Sequence, residues 1–266
     1  MKVAIYYNHG KDKDGACKNA LANQLDKKGV EYIILQNEDL NDKVDVDALF
    51  SIGGDGTILF LSNFACKNQI PVIAINVGRL GFLCEFEKNE IEQAVDNLIS
   101  GKFVRDYRTT LSVELNGKTY FALNEVYLQR AFDQEVGNMI ARFDVLLNGK
   151  QISGFSGDGV IVSTPTGSTA YSFSLGGALV LSECDVFSIT PIAAHSFNQR
   201  PIIYNAKDEC CLKVSGKARV GLFVDGQLVG MVSEKDKIMI NKGGNDLVFL
   251  RKPDSSFYKK LTSKFN

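Results

Sequence analysis

The sequence predicts an α/β half followed by an all-β half, and three observations carry that expectation. Up to about residue 100, short apolar runs alternate with stretches of helical period, the pattern of parallel strands joined by helical crossovers. From about Phe103 the period changes to short strands linked by Asn-Gly and Asp-Gly pairs, the strongest short-range mark of antiparallel hairpins. With 266 residues, 45% hydrophobic and 23% charged, the chain has ordinary globular composition and enough length for two cores.

In chain order, Val3–Tyr7 reads as a strand. The stretch Asp14–Lys28 spaces Ala16, Ala20, Leu21 and Leu25 as one helical face, which Gly29 closes. The runs Glu31–Gln36 and Ala48–Ile52 read as the next strands. The latter leads straight into Gly53-Gly54-Asp55-Gly56-Thr57 and an apolar helix through Cys66. Pro71–Asn76 is a fourth strand, and Asn89–Ser100 a helix stopped by Gly101. Ligands of such sheets bind at the carboxyl ends of the strands, where both Gly-rich segments fall, after Ile52 and after Asn76. Hairpins are expected about Asn116-Gly117, Asn148-Gly149 and Asp225-Gly226. An amphipathic helix over Asp254–Phe265 is expected to return to the first domain. The predicted domains are therefore 1–102 plus 246–266, and 103–245.

Charge and composition exclude several functions. Thirty Lys and Arg against thirty-one Asp and Glu give no basic field for a nucleic-acid backbone, so no nucleic-acid partner is expected. There is no long apolar run, so no membrane span is expected. The start turns polar too quickly for a signal peptide. Six scattered cysteines without C-x-x-C spacing read as reduced thiols in the cytoplasm. With only His9 and His195 as histidines, a zinc site is not expected.

Three segments carry chemistry. A phosphate chain approaches backbone closely only where Cβ atoms are absent, held by N–H groups at a helix start, and Gly53, Gly54 and Gly56 with Thr57 meet that need. The acid among them, Asp55, would repel phosphate unless a cation offsets it or it faces a hydroxyl; the bland alternative is a helix cap. Asn124-Glu125 suits an adenine edge and a ribose diol, although a solvated hairpin pair is the default for two such residues. The densest segment runs from Ser156-Gly157-Asp158-Gly159 through a strand at Val160–Ser163 to Tyr171-Ser172, where hydroxyls crowd a Pro/Gly turn before an expected helix. Asp225-Gly226-Gln227 alone reads as a hairpin turn. His195, on an apolar run from Ile192 to Phe197, reads as a core histidine.

Together these segments resemble the NAD kinase family. The matching pieces are G-G-D-G-T at 53–57, N-x-G-x-L-G-F-L at 76–83, N-E at 124–125, D-G-x-x-x-S-T-P-T-G-S-T-A-Y-S at 158–172, Arg200-Pro201, and D-G-Q at 225–227. Their order and spacing match over nearly the whole chain. The resemblance implies a Rossmann-like N-terminal domain and a β-rich, sandwich-like NAD-binding domain. It also implies a homo-oligomer, commonly a tetramer, that transfers the terminal phosphoryl of ATP to the 2′-hydroxyl of the adenosine ribose of NAD with a divalent metal, Mg²⁺. By the same likeness Asp55 accepts the proton and Gly56 lies beside it at the nucleotide. Asn124 and Glu125 contact adenine and ribose. Asp158, Thr169, Ala170, Tyr171, Ser172, Phe173, Ser174, Ala193 and Gln227 line the NAD site, while the metal ligands stay unassigned. Where many members carry arginine two residues before the aspartate of S-G-D-G, this chain has Ser156. The rival expectations are a lipid kinase of the same superfamily and a non-catalytic dinucleotide sensor.

Overall fold

The structure is a computed structural model describing residues 1–78, 81–131, 140–196 and 198–265. The chain divides into two compact units, Met1–Arg108 with Leu247–Asn266, and Thr109–Asp246. Arg79 and Leu80 of the 76–83 motif, and Phe197 of the expected run at 192–197, lie outside the described residues.

The leading segment of the first unit alternates strand and helix: β1 (Lys2–Tyr7), α1 (Ala16–Lys27), β2 (Glu31–Ile34), β3 (Ala48–Gly53), α2 (Asp55–Asn68), β4 (Val72–Asn76), β5 (Phe86–Glu87), α3 (Ile91–Ser100) and β6 (Val104–Arg108). Strands β3 and β4 are buried at every residue, as central parallel strands covered on both faces must be. β1 lies between β2 and β3, and β3 pairs with β4, all in parallel. Helices α1 and α3 contribute Cys17, Leu21, Leu25, Ile91, Ala94, Val95 and Leu98 to the core that packs on Val3, Ile5, Phe50, Ile52, Ile73 and Ile75.

The second unit is a β-sandwich. It contains β7 (Leu111–Leu115), β8 (Lys118–Ala122), β9 (Glu125–Arg130), β10 (Ala141–Leu147), β11 (Lys150–Gly157), β12 (Gly159–Ser163), the one-turn helix α4 (Tyr171–Ser174), β13 (Val186–Ile192), β14 (Ile202–Asn205), β15 (Cys210–Ser215), β16 (Val220–Val224), β17 (Gln227–Val232) and β18 (Ile238–Lys242). One sheet runs β11-β10-β15-β18-β7-β8 and the other β14-β13-β12-β9-β16-β17. Inward residues of both, such as Val113, Phe143 and Leu212 from the first and Val126, Val160, Phe187 and Leu222 from the second, share one core. The central residues of all three expected hairpin turns have positive φ: Asn116 and Gly117, Asn148 and Gly149, Asp225 and Gly226. That is the twist-matched turn those pairs favour.

The chain then returns to the first unit as β19 (Leu247–Arg251) and α5 (Phe257–Phe265). β19 sits beside β4 in parallel and carries β6 antiparallel on its other edge, so the 104–108 segment belongs to the first sheet.

Three local expectations change. The expected helix after Ser163 is a 3₁₀ turn at Thr166–Thr169 followed by α4, because Ser168 and Thr169 hydroxyls bond back to Pro165 and Thr166 carbonyls and compete with helix geometry. β13 stops at Ile192, Ala193 takes φ 44°, and His195 is exposed, so it is no core histidine. Helix α5 begins at Phe257 rather than Asp254, after a turn at Pro253-Asp254.

Candidate functional site

In the first unit β3 delivers the chain into Gly53-Gly54, and Asp55 opens α2. A Cβ on Gly53 would fall 2.2 Å from Thr57 Oγ1, so packing demands that glycine. A Cβ on Gly56 would meet nothing within 4 Å, and one on Gly54 only Asn76 Oδ1 at 3.9 Å. The fold itself does not require glycine at these two positions. Bare backbone at a helix start, facing open space, is what a phosphate chain needs.

The Asp55 side chain does not cap its own helix. Its Oδ2 accepts the Phe82 N–H at 2.7 Å, and its Oδ1 accepts those of Leu83 at 3.1 Å and Cys84 at 3.3 Å. Three consecutive N–H donors form a concave cradle that fixes the carboxylate. Gly81 makes the approach possible, since a Cβ there would lie 2.1 Å from Oδ1. The 76–83 motif therefore serves Asp55 directly. Cys84 lies buried behind the cradle, its thiol pushed up to about 12 by burial first and then by the Asp55 charge.

In the second unit Asn124 and Glu125 are buried, which overturns the solvated-pair reading. The Asp225 carboxylate is the cause. It accepts the N–H groups of Leu123 at 2.8 Å, Asn124 at 2.8 Å and Glu125 at 3.0 Å, while the Asp225 N–H donates to the Glu125 carbonyl at 3.0 Å. Gly167 closes over the same backbone, where a Cβ would lie 2.1 Å from the Asn124 carbonyl oxygen. Glu125 receives the Tyr171 N–H, and burial followed by the Asp225 charge pushes its carboxyl up to about 8. Its Oε2 is buried without a partner, an acceptor in want of a donor.

Outward-facing residues of this sheet build an aromatic floor beside Glu125. Tyr127 stacks on Phe223 with centroids 4.7 Å apart and meets Tyr171 edge-on at 5.5 Å. The Tyr171 phenol is raised by burial and then by the charges of Asp158 and Glu125. Asp158 pairs with Arg130 at 2.6 Å, and its N–H bonds the Ile192 carbonyl, next to exposed Ala193. Ser172 bonds Thr190 at 2.9 Å and so pins α4 to the sheet. Thr169 is half-buried, as is Ala170, while Phe173, Ser174 and Gln227 are exposed. Much of the hydroxyl crowd is bonded within the chain: Ser163 to Ser188, Thr164 to the Leu123 carbonyl, Ser168 to Pro165 and Val180.

Sequence reasoning missed the Asp225 grip, the Tyr127–Phe223 floor and the 82–84 cradle. Only the floor had a local signal, since Tyr127 and Phe223 sit at alternate positions between the core-facing Val126, Leu128, Leu222 and Val224. Among the described residues no group of three or more His, Cys, Asp or Glu is arranged to hold a metal. No helix among them is long and apolar enough to cross a membrane.

Residues 11–103 match the family model for the ATP-NAD kinase N-terminal domain, and residues 123–252 that for the ATP-NAD kinase C-terminal domain. The chain is 34% identical to the NAD kinase of Fusobacterium nucleatum over 99% of its own length and 97% of the relative's. It is 31% identical to that of Caldicellulosiruptor bescii over 99% of both. Its fold resembles a solved NAD kinase from Archaeoglobus fulgidus in complex with ATP, with a TM-score of 0.80, 26% identity and coverage of 99% and 98%. A yeast NADH kinase complexed with NADH has the same fold, with a TM-score of 0.87 over 100% of this chain and 87% of that one, at 23% identity.

Proposed function

This chain belongs to the NAD kinase family, and from that premise we propose that Asp55 is its catalytic carboxylate, the first unit its ATP-phosphate site and the second its NAD site. The enzyme transfers the terminal phosphoryl of ATP to the 2′-hydroxyl of the adenosine ribose of NAD. The observation that carries the assignment is Asp55 itself, fixed by three N–H donors between two glycines that face open space.

Phosphoryl transfer passes through a loose transition state, so the protein contributes positioning and charge neutralisation. The bare backbone at Gly54 and Gly56 admits phosphate oxygens to the start of α2. Asp55, held by its three N–H donors, orients the hydroxyl and takes its proton late, as charge leaves that oxygen. The described residues do not form a cage for a metal. Mg²⁺ would arrive with ATP and offset the charge of its phosphates, as a cation that keeps its waters and leans on phosphate commonly does. In the second unit, Glu125 Oε2 accepts from the ribose diol, Asn124 reads the adenine edge, and the Tyr127–Tyr171–Phe223 floor offers an apolar face to the base. Asp158, Thr169, Ala170, Ser172, Phe173, Ser174, Ala193 and Gln227 are assigned to the rest of the dinucleotide by family likeness.

The same likeness suggests a homotetramer, supported by apolar residues exposed on edge strands: Ile203 of β14, and Leu228 and Met231 of β17. A cytoplasmic location is supported by six free cysteines.

Purified protein incubated with ATP, Mg²⁺ and NAD, and coupled to an NADP-specific dehydrogenase, is expected to generate NADP. Asp55→Asn is expected to fold and bind NAD but to lose roughly 10²–10⁴-fold in kcat. Unchanged kcat would remove Asp55 from its role, and phosphorylation of diacylglycerol but not NAD would overturn the reading altogether.

A further inference from the structure

We propose that Thr164 and Asp225 are positioning residues for the NAD ribose, holding the peptide groups on both sides of Asn124 from opposite ends and so fixing where Glu125 is presented. The inference rests on the role assigned to Glu125 above and lies wholly within the second unit.

Strand β9 starts at Glu125, and so do its ladders, with Glu125 opposite Ser163 and Val126 opposite Val224. Leu123 and Asn124 precede both ladders, yet their backbone is bonded on both edges. In the peptide that joins Leu123 to Asn124, the carbonyl accepts the Thr164 hydroxyl at 2.6 Å and the N–H donates to Asp225 Oδ1 at 2.8 Å. In the peptide that joins Asn124 to Glu125, the carbonyl accepts the Thr164 N–H at 2.9 Å and the N–H donates to the same Asp225 oxygen at 3.0 Å. Each peptide is therefore clamped at its two ends by the same two residues. Asp225 Oδ2 adds the Leu123 N–H at 2.8 Å. Thr164 is 1% exposed, and its hydroxyl also accepts the Gly167 N–H at 3.0 Å, so its own orientation is fixed.

The side chain contrasts with this backbone. Every polar group of the two peptides is paired, while Glu125 Oε2 is buried without a partner. A backbone held at each polar atom beneath an open acceptor is a preorganised binding group, ordered before its ligand arrives. Were the clamp needed only to join strands, it would duplicate ladders that already run along β9 on both of its edges.

Asp225 differs from Thr164 in carrying charge. Among the described residues, the titratable groups that act on Glu125 are Tyr171 of α4, which gives its N–H, Tyr127 on β9 itself, and Asp225 at the turn between β16 and β17. Both phenols are held above their ordinary values, chiefly by burial, which leaves Asp225 as the charged neighbour among them. A like charge favours the protonated carboxyl, so Asp225 holds back the anion that a ribose diol would bind.

The test measures steady-state kinetics on NAD and MgATP from pH 6 to 9 at constant ionic strength, with melting temperatures alongside, for Thr164→Val, Thr164→Ser, Asp225→Asn and Glu125→Gln. Thr164→Val removes the hydroxyl and keeps the shape. It is expected to raise KM for NAD about tenfold at every pH, the loss of one buried hydrogen bond, and to leave KM for MgATP within about twofold of wild type. Thr164→Ser keeps the hydroxyl and should bring KM for NAD back to within about threefold. Asp225→Asn retains an acceptor for Asn124 and Glu125, turns a donor toward Leu123, and removes the charge. Its KM for NAD should begin to fall about one pH unit lower than in wild type, and in the Glu125→Gln background this displacement should vanish. Should either Thr164→Val or Asp225→Asn not fold, the other carries the comparison. A melting temperature that falls while KM for NAD holds, a matching rise in KM for MgATP, or a KM profile that Asp225→Asn does not displace would overturn the proposal. An unaltered KM profile in Glu125→Gln alone would instead overturn the role of Glu125.

Discussion

Glu125 joins two conditions that rarely coincide in one carboxyl: near-complete burial and an oxygen without a partner. Its carboxyl is raised to about 8 by burial and by Asp225, so the folded protein holds a proton that the unfolded chain releases from about pH 4.5 upward. Stability therefore falls as pH rises through that window, because the folded state binds more protons. A ribose diol donating to Oε2 favours the ionised form. NAD binding should then release a proton, and KM for NAD should fall as pH rises toward about 8. Glu125→Gln is expected to flatten both the pH dependence of the melting temperature and that of KM, measured between pH 6 and 9 at constant ionic strength; an unaltered KM profile would remove Glu125 from the ribose. The residue pair was legible in the sequence, but its burial was not. The Asp225 carboxylate that buries it comes from 100 residues away along the chain, and nothing local to Asn124-Glu125 announces that grip.

At the scale of elements, the two Gly-rich segments divide by what demands each glycine, and substitution separates them. Gly81→Ala would put a methyl within 2.1 Å of Asp55 Oδ1, and a short side chain has little room to yield. The expected result is a kcat loss comparable to Asp55→Asn with a modest change in melting temperature. Gly56→Ala meets no neighbour and replaces a helical glycine, so it should stabilise the fold by roughly 0.5–1 kcal/mol while raising KM for ATP. Chemical denaturation and kinetics on one preparation check both signs. Strands β1 to β4 and helices α1 to α3 were legible from their bounded apolar runs, with Gly29 and Gly101 closing α1 and α3 while α2 stops at Gln69. The segment after Ser163 was not, because its hydroxyls satisfy their own backbone, and period alone does not register that competition.

At the scale of the whole molecule, the second unit is an insertion with adjoining ends. Leu111 pairs with Lys242, the Gly243 N–H bonds the Thr110 carbonyl at 2.7 Å, and Thr110 Oγ1 bonds the Asn245 carbonyl at 2.9 Å. It has a core of its own. Residues 109–246 produced alone are expected to unfold in one cooperative urea transition with retained β-type circular dichroism; a non-cooperative melt would refute that independence. The change from α/β to antiparallel architecture could be read from turn chemistry, whereas the place of β19 inside the first sheet could not, because a single late strand carries no mark of its neighbours. That placement has a consequence for synthesis on the ribosome. Among the described residues β6 reaches the sheet only through β19. The nascent polypeptide can thus complete its insert while the sheet of the first unit still waits, and a translation product that stops short of β19 is made with β6 unpaired.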